Sequence, residues 1–237
     1  MSSAQVLRRG AFLFAAALIA LPVFLGAQER SPSAPSSSDQ VPSAQALAAR
    51  VDHHYDSLRS LKAAFSETYT GLGMDRTESG VLLLAKPGRM RWDYASPPGK
   101  VFLLDGKYGW FYTPGAPQVQ RVAAKQLDDL RSPLRFLLGH TDLEKELAGL
   151  RASPDPSSSG EAILSGQPKG PDTRVSRVTM RVDAATGAIV ALEIDETDGA
   201  ITRFTFTAQQ PDVPLPPETF HFSPPPGVQV QDSMPPV

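Results

Sequence analysis

The 237-residue chain contains no cysteine. That excludes disulfides, thiolate metal sites, thiol nucleophiles and an amino terminus lipidated on cysteine. Histidine is scarce, and His53, His54, His140 and His221 show no metal-ligand spacing. His53 and His54 are neighbours on a helical stretch and point apart. There is no Gly-x-Ser-x-Gly elbow and no phosphate-binding loop. The acidic run "DETDGA" reads as a hairpin turn rather than a calcium loop. Charge of one sign is also lacking: the formal net charge is −2, so no nucleic-acid partner is expected. The longest apolar run, Ala11 to Leu25, is short for a membrane span and contains Pro22. No enzyme, metal or cofactor is expected from this inventory.

What is present begins with that run. Arg8 and Arg9 precede it, and the small residues of "GA" follow it. A basic start, a short apolar core and a small-residue boundary describe a secretory signal peptide, residues 1–27, cleaved after Ala27. The arginine pair also admits a twin-arginine signal. Cleavage removes both arginines and no acidic residue, leaving a mature chain of net charge −4. Residues 28–43, "QERSPSAPSSSDQVPS", are too polar to bury a core and read as a Ser/Pro-rich tether.

The folded domain is expected over 44–232, with a short tail at 233–237. Ser43 offers a helix N-cap, and Leu47, Val51, Tyr55, Leu58 and Leu61 form one apolar stripe at spacings of four and three. After Ser60 the period becomes two: Ala63, Phe65, Glu67 and Tyr69 share a strand face. The segment from Ser79 to Val119 breaks at Pro-Gly, Pro-Pro-Gly, Asp-Gly and Pro-Gly into short apolar strands. The middle reads as helical: residues 123–130, then "SPLRFLLG" with Ser132 as cap and Gly139 as stop. There follows "TDLEKELAGL", with Thr141 and Glu144 at capping-box spacing and an end near Gly149. Residues 151–160 read as a flexible loop. Strands return from Glu161 to Gln210, and "ETFHFSPPPGVQV" supplies the last one. The pattern gives about nine or more strands, an antiparallel sheet with a leading helix and a few short helices packed on it.

Both tryptophans fall in two nearby strands, "RMRWDY" and "GWFYTP". Val81–Leu84, Val101–Leu104 and Trp110–Tyr112 are apolar on both faces, so each face needs an apolar neighbour. The helix at 44–61 can cover one. The other requires a second layer or a ligand. One solution is a closed sandwich or barrel with an ordinary aromatic core. The other is a curved sheet whose inner face receives something apolar, with Trp92, Tyr94, Trp110 and Tyr112 as walls with polar tips.

The sequence resembles the LolA family of periplasmic lipoprotein carriers. The resemblance lies in Ser79–Gly80, Lys86–Pro87, Met90–Arg91–Trp92–Asp93–Tyr94, Pro97–Pro98, Asp105–Gly106–Lys107, Trp110–Phe111–Tyr112 and Gln118–Val119, in that order. "SPLRFLLG" is similar to the family's lid helix and "FHFSPPPGVQV" to its closing segment. The resemblance implies an unclosed antiparallel β half-barrel, mainly β with α, with an N-terminal helix and short lid helices over the open face. It implies a monomeric, non-catalytic periplasmic carrier. Such a carrier takes acylated lipoproteins from an inner-membrane ABC-type release complex and passes them to an outer-membrane lipoprotein acceptor. The acyl-chain cavity would be lined by Leu83, Met90, Trp92, Tyr94, Leu103, Trp110, Tyr112, Phe204 and Phe206. Leu134, Phe136, Leu137 and Leu138 would form the lid. Lys86 stands where the family's best-known members carry arginine, and would latch that lid without a planar fork of donors; a solvated turn lysine is the alternative. The same fold also serves periplasmic sensors that bind lipid, and a carrier of other envelope lipids is a further alternative.

Overall fold

In the computed structural model, which describes residues 42–129, 137, 142–170 and 174–232, the chain opens with helix α1, Ala44–Ser57. The Ser43 side chain accepts a hydrogen bond from the Ala46 N–H at 3.2 Å, satisfying one free donor of the first turn. Leu47, Val51 and Tyr55 are buried along one stripe. The helix stops before Leu58, and Leu61 already belongs to the next strand. The expected signal peptide and most of the tether lie outside the described residues, as does the tail.

Six strands follow: β1 (Ser60–Gly71), β2 (Met74–Ala85), β3 (Arg89–Ser96), β4 (Val101–Asp105), β5 (Tyr108–Tyr112) and β6 (Gln118–Ala123). Helix α2 (Ala124–Asp129) and the four-residue α3 (Leu143–Glu146) precede β7 (Leu147–Pro154), β8 (Glu161–Pro168) and β9 (Val175–Asp183). Then come β10 (Ile189–Glu196), β11 (Ile201–Pro211) and β12 (Gln229–Asp232). All twelve join one sheet in the order β12-β6-β5-β4-β3-β2-β1-β11-β10-β9-β8-β7. Its two edges, β12 and β7, do not meet, so the half-barrel is open. Pairing is antiparallel everywhere except between β12 and β6.

The helix expected to end near Gly149 is shorter than its sequence suggests. Asp142 caps α3, its carboxylate accepting from the Lys145 N–H at 3.0 Å, and the chain turns extended at Leu147. Pairing with β8 decides this: Leu147 sits opposite Pro168 and is buried, while Gly149 takes φ +62° where the register slips between Ala148 and Arg151. Tertiary pairing overrides helix propensity here, and it also carries β7 through part of the segment expected to be a loop.

Two layers cover the sheet. On the inner face α1 lies over the β8–β10 wing. The Tyr55 hydroxyl accepts from the Ile189 N–H at 3.1 Å, and the Asp52 carboxylate accepts from the Leu143 N–H at 3.0 Å, tying α1 to α3. The approach is so close that a Cβ on Gly187 would overlap the Arg50 carbonyl oxygen. On the outer face of β3–β6 runs the carboxy-terminal segment. Arg91 donates to the Thr219 carbonyl at 2.9 Å, the Arg89 guanidinium sits 5.3 Å from the Phe220 ring, and β12 bonds to β6. β4 and β5, apolar on both faces, therefore have a protein neighbour on each: Leu103 is buried and Trp110 packs on Phe222 on the outer side, and Phe102 and Phe111 stack on the inner. Most of the buried residues form one contiguous core, while Leu103, Val119 and Phe220 are buried outside it; each large apolar side chain contributes roughly 1.5–3 kcal/mol.

Candidate functional site

The register of the central strands fixes which side chains share the inner face, because directly opposed residues point the same way. Leu84 faces Met90 and Met90 faces Leu104; Leu82 faces Trp92 and Trp92 faces Phe102. Across β1 and β11, Phe65 faces Phe206 and Glu67 faces Phe204. The result is an aromatic cluster at the centre of the inner face. The Trp92 ring lies 4.6 Å from Phe65, 5.4 Å from Phe204 and 6.2 Å from Phe206, mostly edge-to-face or tilted. Tyr94 joins it, 5.1 Å from Phe65.

Five residues expected to line a cavity therefore meet: Met90, Trp92, Tyr94, Phe204 and Phe206. The other four do not join them. Leu83 opposes Arg91, Arg91 opposes Leu103, and Leu103 opposes Trp110, so all of these occupy the outer face. Tyr112 is there too, opposite Val101, which itself opposes Asp93. Within "GWFY" it is Phe111 that points inward, stacked on Phe102 at 4.7 Å. The physical reason is the two-residue period: neighbours in a strand cannot share a face. Trp110 instead donates from Nε1 to the Asp105 carboxylate at 2.8 Å and packs 5.5 Å from Phe222. The sequence reading missed Phe65, Leu82, Leu84, Phe102 and Leu104. Phe65 alternates within its strand, but Leu82, Leu84, Phe102 and Leu104 sit in runs apolar on both faces, so only the register shows that these residues meet.

The inner face is polar at one end. Glu67 and Glu78 lie directly opposite each other and are both buried. The Tyr94 hydroxyl donates to Glu67 Oε2 at 3.1 Å, and Lys100 Nζ donates to Glu78. Arg76 approaches both carboxylates, at 3.7 and 3.5 Å. Burial is the main force pushing the Glu67 carboxyl above its ordinary range; the Tyr94 hydrogen bond opposes it and the Glu78 charge adds to it. Burial likewise raises the Tyr94 phenol, reinforced by Glu67.

At the opposite end, Leu61, Leu84, Ala85, Lys86, Arg89 and Leu137 surround a crevice of about 10 Å³, room for no more than one water. Of the residues expected to form a lid, Leu137 is buried in the core, whereas Leu134, Phe136 and Leu138 lie outside the described residues. Lys86 donates to the Asp56 carbonyl in the last turn of α1 at 2.7 Å, where the helix dipole favours a cation. Leu127 of α2 closes the far wing, so tightly that a Cβ on Gly109 would overlap its Cδ1. The inner face is thus covered: Trp92, Phe65, Phe204 and Phe206 are each 5% exposed or less. Among the described residues there is no cluster of three or more His, Cys, Asp or Glu able to hold a metal ion.

The comparisons of sequence point to one family. The outer-membrane lipoprotein carrier protein of Chromobacterium violaceum is 31% identical over 172 residues, covering 73% of this chain and 81% of its own. That of Alkalilimnicola ehrlichii is 32% identical over 191 residues, covering 79% and 85%. Among solved structures, an uncharacterized conserved protein from Thermus thermophilus superposes with a TM-score of 0.52 at 12% identity, over 80% of this chain and 99% of that one, a likeness of fold. The model of the family described as outer membrane lipoprotein carrier protein LolA matches residues 56–223, from the last turn of α1 to just past Phe222, and the chain belongs to that family.

Proposed function

We infer that the chain is a non-catalytic lipoprotein carrier which shelters acyl chains against the inner face of its open sheet. The observation that carries this reading is the Phe65–Trp92–Phe204–Phe206 cluster. It is a broad aromatic surface on a sheet left unclosed, in a chain of the LolA family. The covered inner face corresponds to the cargo-free state. Each acyl methylene moved out of water is worth roughly 0.8 kcal/mol. A wall that stayed open would waste the same kind of energy by facing water. Side chains from α1, α2 and Leu137 fill it until cargo displaces them. Exchanging one apolar occupant for another keeps loading and release close to balance.

We propose in addition the finer reading that the amino-terminal sequence and the resemblance to the LolA family imply. The chain is exported to the periplasm by its amino-terminal signal. It acts as a monomer, receives acylated lipoprotein from an ABC-type release complex of the inner membrane, and delivers it to an outer-membrane acceptor. Leu137 and its neighbours serve as the lid, and Lys86 steadies the junction between α1 and the crevice that Leu137 lines. The test is extraction: purified mature protein mixed with vesicles bearing a triacylated lipoprotein should yield a soluble one-to-one complex. Lipoprotein that stays wholly with the vesicles would overturn the reading.

A further inference from the structure

The two tryptophans treat their N–H groups differently. Trp110 bonds its indole nitrogen to Asp105. Trp92 is 1% exposed, yet among the described residues its Nε1 has no hydrogen-bond partner. A buried donor left unmade carries its full desolvation cost. The Phe65, Phe204 and Phe206 rings around it offer at best weak contact to an N–H. A phenylalanine would fill much of the same wall without that cost. The N–H is therefore a poor choice for a residue whose only task is packing.

Its position suggests what the donor serves. Met90, Trp92 and Tyr94 follow one another along the inner face of β3. Met90 is flanked across the sheet by two aliphatic side chains, Leu84 and Leu104. Around Tyr94 lie Glu67, with Glu78, Lys100 and Arg76 beyond. Trp92 stands at the boundary. A glycerol-linked acyl chain has the same order along its length: hydrocarbon, then ester carbonyl, then polar head. The carbonyl is a good acceptor placed where hydrocarbon ends.

We propose that Trp92 Nε1–H is the hydrogen-bond donor for an ester carbonyl at the head of a bound acyl chain, which orients the hydrocarbon toward Met90 and Leu84 and the polar head toward Tyr94 and Glu67. This rests on the carrier reading above and adds direction to a wall that otherwise offers none. The contact forms only when cargo opens the face, so the empty protein holds the donor unpaired.

The experiment compares two synthetic ligands of equal chain length, a dipalmitoyl-glyceryl cysteine peptide with ester links and its counterpart with ether links. Each displaces a fluorescent fatty-acid probe from wild-type protein and from Trp92→Phe. The wild type should prefer the ester by about tenfold, the worth of one buried hydrogen bond. In Trp92→Phe the two ligands should bind within about twofold of each other. In wild-type protein labelled with ¹⁵N, the Trp92 indole resonance should move downfield with the ester and not with the ether, with Trp110 as an internal reference; this readout stands even if the variant folds poorly. An ester preference that survives Trp92→Phe, or equal binding of both ligands to the wild type, would overturn the donor alone. Failure of the wild type to bind either ligand would overturn the carrier reading and the donor with it.

Discussion

The two faces of the sheet use aromatics in opposite ways. On the outer face Trp110, Tyr112 and Phe222 are half-buried and tied down by directional bonds: Trp110 to Asp105, Arg121 to Asp232, and β12 to β6. That cover is stitched to the sheet through its backbone. On the inner face Trp92, Phe65, Phe204 and Phe206 are almost wholly buried, and they touch one another through ring contacts. The cover there is held by non-directional packing and a few bonds at its rim, such as Lys86 to Asp56 and Tyr55 to Ile189. Packing forces are strong in sum but indifferent to what supplies the methylenes. The difference separates a permanent cover from a replaceable one.

The largest expected effect tests that contrast directly. Trp92→Ala should cost about 3–5 kcal/mol in denaturant unfolding and abolish lipoprotein extraction. Trp110→Ala, on the outer face, should cost well under half as much and leave extraction intact; equal losses in the two variants would erase the distinction between the faces. Next, Leu137→Ala should destabilise by about 2 kcal/mol or more and raise the empty protein's binding of an apolar fluorescent dye. Unchanged dye fluorescence would show that Leu137 is no part of a removable cover.

A smaller effect concerns the polar end. Because the Glu67 carboxyl is raised in the folded state, that state binds its proton more tightly than the unfolded chain does. The resulting stability is full below the ordinary carboxylate range and is lost as pH rises through the raised value. Thermal midpoints should therefore fall across that window, and Glu67→Gln should flatten the slope. An identical pH profile in the variant would mean that Arg76 and Lys100 hold the carboxylate charged throughout. The smallest effect is expected at the exposed Arg121–Asp232 pair: Asp232→Asn should leave the thermal midpoint and extraction unchanged, since exposed ion pairs contribute little.

Much of this was readable in the chain. The Ser43 cap, the stripe Leu47–Val51–Tyr55 and the face Ala63–Phe65–Glu67 follow from period and cap chemistry, and they fold as expected. So does the shared face of Met90, Trp92 and Tyr94. What failed was the joining of strands. Alternation states that Trp110 and Tyr112 share a side; it cannot state that this side is the one opposite Trp92. That depends on register across β4, where Phe102 rather than Leu103 opposes Trp92. The stretch "TDLEKELAGL" failed for a related reason: Asp142 caps its short helix, the expected cap Thr141 lies outside the described residues, and β8 offered Leu147 a partner that one more helical turn could not match.

By itself the sequence determined the parts: a set of short strands, several of them apolar on both faces, a capped helix, and a surplus of aromatic and aliphatic side chains. Those are local properties, set by backbone period and side-chain type. Only the tertiary structure decided which aromatics meet, that the carboxy-terminal segment covers the outer face of β3–β6, and that Trp92 is buried with its N–H unpaired among the described residues. These depend on strand order and register, and both are settled by contacts between residues far apart in the chain.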